Sequence, residues 1–260
     1  MCYNLDMIAF EELRKQIQIQ TQLTQTSCLM NETSRMTTAQ FNGDTFTGIL
    51  DSLAQNKILV VDGIFPPSQW QRWAQVARDR KSLGLFRESK VGRGTQNQRS
   101  VKVRGDSTLW IDPADGDLAD FFSWAQEFQI RARQEYFLPI RSSEFHFAHY
   151  PVGSHYDAHY DQSPQRDLVR GQRIITFVLY LNENWKKENG GELVIYPPQE
   201  QNLLQAETGH KKETQEPICI LPTGGRLVMF MSDLLLHEVR ICHAERMSLT
   251  GWFRDDLENS

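Results

Sequence analysis

From Phe145 to Arg254 the chain is cut into short pieces. Seven runs rich in β-branched and aromatic residues, Phe145–Tyr150, Ile174–Leu181, Leu193–Tyr196, Ile218–Leu221, Arg226–Met231, Glu238–Cys242 and Ser248–Arg254, alternate with turn clusters. Pro151–Gly153, Gly190–Gly191 and Gly224–Gly225 bound several of them. Strands at this spacing, with turn chemistry between them, predict an antiparallel sandwich or jelly roll. No glycine-rich phosphate loop follows a strand, and no internal repeat is present.

The preceding hundred residues read differently. Phe46–Gln55 carries Phe46, Ile49, Leu50 and Leu53 at helical spacing, and Ile58–Val61 reads as a short buried strand. A helix is expected over Gln69–Arg80, with Ser68 as its N-cap and Trp70, Trp73, Val76 and Ala77 on its apolar face. Val101–Ile111 reads as a strand, and Leu118–Phe137 as a long amphipathic helix with the stripe Phe121, Phe122, Ala125, Phe128 and Ala132. The expected fold is therefore mainly β with N-terminal helices (α+β), a double-stranded β-helix (jelly-roll) core flanked by two or three helices. Residues 1–40, rich in Gln, Thr and Ser, are expected to be a disordered or frayed leader, with Met36 as an alternative start. Residues 41–140 form a helical support region with short strands and a mobile basic loop, and residues 141–256 the jelly-roll core. The loop is Leu85–Arg104, where six basic residues face the single acid Glu88; it reads equally as a solvated hairpin or a lid over a partner. Gln199–Glu216 is polar and reads as a surface insertion.

Composition narrows the class of function. A net charge of −5 argues against a nucleic-acid scaffold, which needs a basic surplus. No run of about 18 apolar residues exists to span a membrane. The N-terminus lacks the pattern of a secretory signal. Cys2, Cys28, Cys219 and Cys242 show no paired spacing, so reduced thiols and a cytoplasmic location are expected, with Cys219 and Cys242 as small buried hydrophobes.

Five of the seven histidines fall between His146 and His159 or at His237. A His-x-Asp pair puts both side chains on one face of a strand, so an imidazole and a carboxylate reach the same ion. Two such pairs occur, His155–Asp157 and His159–Asp161, and by itself the motif is weak. His237 opens a later strand and could supply a third ligand. Two histidines and a carboxylate with open positions suit non-haem Fe(II). Arg246, nine residues on, would be costly inside a barrel unless a carboxylate met its fork. His146, His149, His210 and His243 are expected to be surface or hydrogen-bonded core groups.

The order of these residues resembles the Fe(II)/2-oxoglutarate-dependent dioxygenases, specifically the prolyl 4-hydroxylase family and its hypoxia-sensing branch. The resemblance runs through Tyr150, Gly153, Tyr156, His159, Asp161, Tyr180-Leu181-Asn182, Trp185, Gly190-Gly191-Glu192-Leu193, Gly225–Asp233, His237-Glu-Val239, Arg246, Thr250 and Trp252. Upstream, Arg104-Gly105-Asp106 followed by Trp110 is similar to a segment of the hypoxia-sensing group. Only the pair His159–Asp161 keeps Tyr156 and Gly153 in register, which favours it over His155–Asp157. The resemblance implies Fe(2+) held by His159, Asp161 and His237. It also implies 2-oxoglutarate bound through Arg246, Tyr180 and Thr250, with Tyr150, Tyr156 and Trp252 lining the site. O2 would be consumed, 2-oxoglutarate decarboxylated to succinate and CO2, and L-ascorbate would serve as reductant. The implied partner is a proline-bearing protein or peptide, as signalling and translation proteins are in the family. A free amino acid or small metabolite is the alternative substrate, and a non-catalytic cupin-like sensor the alternative function.

Overall fold

The computed structural model describes residues 36–37, 41, 43–89, 103–162, 171–196 and 216–256. In chain order these form β1 (Met36–Thr37), α1 (Thr45–Asn56), β2 (Ile58–Asp62), α2 (Pro67–Ser82), β3 (Arg87–Glu88), β4 (Ser107–Trp110) and α3 (Ala119–Tyr136). Then come β5 (Ser142–Tyr150), β6 (Tyr156–His159), β7 (Arg173–Tyr180), β8 (Leu193–Ile195), β9 (Ile218–Ile220), β10 (Arg226–Met231), β11 (His237–Val239) and β12 (Arg246–Arg254). An eight-stranded sheet runs β1-β2-β10-β7-β12-β5-β4-β3, and a four-stranded sheet runs β6-β11-β8-β9. Among the described residues, every pairing apart from the parallel β1–β2 contact is antiparallel. This is the jelly-roll arrangement with three helices.

The major sheet divides its residues by parity. On β12, Met247, Leu249 and Phe253 join the core that includes Trp73, Phe121 and Phe128 of the helices. Arg246, Ser248, Thr250 and Trp252 line a cavity on the other face. The alternation repeats on β5, where Phe145 and Phe147 face the helices and His146, Ala148 and Tyr150 face the cavity. It repeats on β7, with Ile175, Phe177 and Leu179 in the core and Thr176 and Val178 at the cavity. Period-two geometry thus makes one sheet serve as support and as site wall. Phe121 packs edge-on against Phe145 at 4.8 Å between ring centroids, in the orientation aromatic quadrupoles prefer. Gly251 is required where β12 crosses β5, because a Cβ there would come within 2.2 Å of the Glu144 carbonyl oxygen.

Several expectations change. The α2 helix starts earlier than expected: Pro66 is its N-cap and Pro67 its first residue, so Ser68 does not cap it. A proline at that position has no N–H to leave unpaired and a φ already suited to the first turn. The strand expected over Val101–Ile111 is confined to Ser107–Trp110, and Arg104 makes an isolated bridge to Tyr156. The β6 strand was not legible in Tyr156–His159, whose only large apolar side chain is an aromatic of the site. Met36–Thr37, inside the expected leader, pairs with Val61 and Asp62. Residues 1–35 and 38–40 of the expected leader, residues 90–102 of the basic loop and residues 199–215 of the insertion lie outside the described residues. Cys242 is buried and free, while Cys219 is half-buried and disulfide-bonded, which corrects the expectation of reduced thiols there.

Candidate active site

The cavity, of about 580 Å³, lies between the two sheets. The β6–β11 pairing sets His159 opposite His237, and Asp161 follows two residues after His159. One ligand atom from each of His159, Asp161 and His237 lies within 4.8 Å of the others. The Nε2 of His159 is 3.8 Å from Asp161 Oδ1, and that of His237 is 3.6 Å from Asp161 Oδ2. Both rings are turned by their other nitrogen. His159 Nδ1 bonds the Asp157 carbonyl at 2.8 Å, and His237 Nδ1 bonds the Leu235 carbonyl at 3.0 Å. A carbonyl only accepts, so each Nδ1 carries the proton and each Nε2 lone pair points at the shared space. The Asp161 carboxylate is fixed in turn by Thr176 Oγ1 at 2.7 Å, itself 2.8 Å from Ser232 Oγ.

Electrostatics agree with this arrangement. Burial, with His237 alongside, pushes His159 down to about 3, so its imidazole is neutral near pH 7. Burial by itself would raise Asp161, but His237, His159 and Arg173 outweigh it and bring the carboxyl to about 2. Two imidazoles with one carboxylate fit a divalent first-row metal that keeps positions for other ligands. His155 and Asp157 instead pair with each other at 3.3 Å, partly exposed and outside this cluster.

Arg246 enters the same cavity from β12 and is 2% exposed. Its Nε donates to the Gly191 carbonyl at 3.1 Å, and its guanidinium carbon sits 4.8 Å from the Tyr150 ring centroid and 5.0 Å from that of Tyr180. Gly191 adopts φ +67°, and a Cβ there would press on Cys242 Sγ at 3.0 Å and Arg246 Cδ at 3.1 Å. Among the described residues no carboxylate pairs with Arg246. The buried Tyr180 hydroxyl beside it also has no partner in hydrogen-bond geometry. Burial raises the Tyr180 phenol, so it stays protonated and can donate. A buried cation without an anion, next to an unspent donor, is a cradle for an incoming carboxylate.

Of the remaining expected site residues, Thr250 lines the wall with its hydroxyl 3.0 Å from Ser248 Oγ. Tyr156 stacks on His159 with centroids 3.7 Å apart, and Trp252 has the Arg173 guanidinium over its ring at 3.3 Å. Sequence reasoning assigned no site role to His146, Arg173, Thr176, or the Arg104–Asp106 pair, all of which line the cavity. Asp106 holds Arg104 through two bonds, at 2.7 and 2.6 Å, and Arg104 caps the Tyr156 ring at 4.2 Å. Parity with Tyr150 and Tyr180 would have pointed to His146 and Thr176. No comparable signal marks Arg173.

Residues 145–254 match the profile of the 2OG-Fe(II) oxygenase superfamily. Over 225 residues the chain is 27% identical to a hypoxia-inducible factor prolyl hydroxylase of Caenorhabditis elegans, covering 81% of this chain and 28% of that protein. The chain therefore spans well under two thirds of that curated relative. Among solved structures, a prolyl-4-hydroxylase of Pseudomonas putida shares 28% identity at a TM-score of 0.67, covering 82% of this chain and 100% of the other. A prolyl hydroxylase from Trichoplax adhaerens, in complex with a hypoxia inducible factor oxygen degradation domain peptide fragment, shares 26% identity at a TM-score of 0.65, covering 81% and 89%.

Proposed function

We propose that this chain, whose residues 145–254 form a 2OG-Fe(II) oxygenase domain, is an Fe(II)- and 2-oxoglutarate-dependent dioxygenase that hydroxylates a prolyl residue in a protein or peptide. One observation carries this reading: a two-histidine, one-carboxylate cluster shares its cavity with a buried arginine that lacks an anionic partner. His159 and His237 would hold the ion through Nε2 and Asp161 through a carboxylate oxygen, with Thr176 keeping that carboxylate in place. When bound, ferrous iron supplies O2 activation coupled to the conversion of 2-oxoglutarate to succinate and CO2.

Arg246 would bind the far carboxylate of 2-oxoglutarate with its two remaining terminal nitrogens. Two parallel N–H bonds fix direction as well as charge. Tyr180 and Thr250 would add hydroxyl contacts to the same carboxylate. Tyr150 supports the guanidinium from below. The sheet walls exclude water, which strengthens each of these contacts. Trp252 and Arg173 would bound the side where substrate enters, and Tyr156 would face it next to His159.

Support for a prolyl substrate comes from the relatives, one named for hypoxia-inducible factor and one holding a peptide of it. We take L-ascorbate as the reductant that maintains ferrous iron. The test is to incubate purified protein with Fe(II), ascorbate and 2-oxoglutarate, then add blocked proline-bearing peptides or free amino acids. Succinate formation stimulated by peptide, with a 16 Da gain on proline, is the expected result. Stimulation by free amino acids alone would move the substrate to a small metabolite. No 2-oxoglutarate consumption with either class would leave a binding module.

A further inference from the structure

His146 is the one cavity-lining histidine outside the metal cluster, among the described residues. It is 4% exposed, flanked by Trp110 at 4.8 Å and Trp252 at 5.4 Å between ring centroids. No hydrogen bond is made by either of its nitrogens among the described residues. Nδ1 is buried and partnerless, whereas Nε2 is not closed off. The indole N–H of Trp252 is likewise buried without a partner. Two unspent polar groups on adjacent strands of a cavity wall are expensive, since a buried orphan costs the desolvation of that group.

The imidazole must place its proton on one of the two nitrogens. Burial pushes His146 down to about 3, opposed by Asp106 and Asp161, so the neutral ring has one N–H and one lone pair. An orphaned N–H is the rarer and costlier defect in folded proteins, so the proton belongs on the nitrogen a ligand can reach. That nitrogen is Nε2. The two tryptophans hold the ring plane, so the donor's direction is set before anything binds.

We propose that His146 is a substrate-binding residue whose Nε2–H donates to an amide carbonyl oxygen of the substrate beside the reacting residue, with the flanking Trp252 indole fixing the ring's direction. A neutral donor suits a carbonyl better than a free carboxylate, whose full charge would be buried without a dedicated cation. Arg173 is already engaged, by Glu144 at 3.3 Å and by the Trp252 ring. The inference rests on the oxygenase reading of this cavity and adds to it a requirement: the substrate residue must be inside a peptide bond, and free proline is the poorer ligand.

The probes are acetyl-Ala-Pro-Ala-amide and L-proline, titrated against the full chain loaded with Zn(II) and 2-oxoglutarate, with tryptophan fluorescence giving Kd. Long-range proton–nitrogen NMR on the same sample reads the His146 tautomer and the Trp252 indole N–H shift. The expected results are an Nε2–H tautomer and an indole shift on peptide addition. Kd for the blocked peptide should rise about fivefold in His146→Phe, the worth of one neutral hydrogen bond, and return to within about twofold in His146→Gln. L-proline should bind more weakly than the peptide. An Nδ1–H tautomer, a His146→Phe variant that binds like wild type, or equal weakness in His146→Phe and His146→Gln would overturn the assignment. So would L-proline binding as well as the peptide, or no peptide binding by wild type. Loading with 2-oxoglutarate is measured separately, so its failure counts against the oxygenase reading, while the tautomer and peptide titrations judge His146.

Discussion

Replacing Arg246 by methionine separates a ligand-binding arginine from a structural one. In the protein its guanidinium has a carbonyl at 3.1 Å and two tyrosine faces near 5 Å, and no carboxylate among the described residues. A charge-assisted hydrogen bond to a carboxylate contributes about 1.5–3 kcal/mol. Losing both of the bonds assigned to 2-oxoglutarate therefore removes about 4 kcal/mol, close to a thousandfold in Kd. Arg246→Lys keeps a charge but not the fork, losing one bond and the anchor on Gly191, so about 30-fold is expected. Stability should move the other way. Methionine fills similar volume without a buried charge, and such replacements are commonly neutral or stabilising. The assay is calorimetric titration of 2-oxoglutarate into Mn(II)-loaded protein without O2, alongside a thermal melt of the metal-free form. If Arg246→Met binds 2-oxoglutarate within about fivefold of wild type, or lowers the melting point by more than about 10 °C, the arginine is structural and the co-substrate assignment is wrong.

Thr176→Val removes the hydroxyl that holds Asp161 while conserving shape, and Mn(II) affinity measured by EPR should fall about tenfold, as for other groups that orient a ligand. His159→Ala and His237→Ala should abolish Mn(II) binding, whereas His155→Ala should leave it unchanged; an equal loss at His155 would place the ligand pair one motif earlier. Acid should destabilise the metal-free protein through His146, whose pKa is about 3 when folded against about 6.5 when unfolded. The unfolded chain binds the extra proton between those values, so stability present above pH 6.5 is lost as pH falls, by about 2 kcal/mol at pH 5. Urea midpoints at pH 7 and 5 check this, and the pH dependence should shrink in His146→Phe.

The β core was legible because its runs are short, β-branched and bounded by Gly and Pro, and because inward and outward positions alternate. Arg226–Met231 was placed with its observed limits, and other strands shifted by a few residues at their ends. Helix α3 was legible from the Phe121, Ala125, Phe128 and Ala132 stripe, all buried in the structure. What stayed hidden was polar or local. Strand β6 carries almost no apolar signal, and the Pro66–Pro67 start of α2 competes with a serine that looks like a better cap. The cavity histidine was read as a surface or hydrogen-bonded core group, yet burial and hydrogen bonding depend on three-dimensional neighbours that no sequence window contains. The candidate metal-ligating residues and Arg246 were legible through their order along the chain. Their convergence, set by the β6–β11 and β12–β5 registers, was not.

Arg246, which has no carboxylate partner among the described residues, shares a placement with Tyr180, His146 and Trp252, each of which has a buried polar atom without a hydrogen bond. All four lie on the cavity-facing parity of three neighbouring strands, β7, β12 and β5, in one sheet. The opposite parity of the same strands is Phe145, Phe147, Phe177, Leu249 and Phe253, each nearly inaccessible. Burying such a side chain contributes about 2–3 kcal/mol, while a buried polar group without a partner costs about 1–3 kcal/mol. The helix-facing side can therefore hold the strands in register while the other side keeps its donors unspent. Pre-set donors need not reorganise when a carboxylate or carbonyl arrives, so the cost of ordering them is met during folding rather than during binding. This also explains why the cavity wall is built on the sheet: a one-residue slip of β12 would send Arg246 into the helix core and a leucine into the cavity.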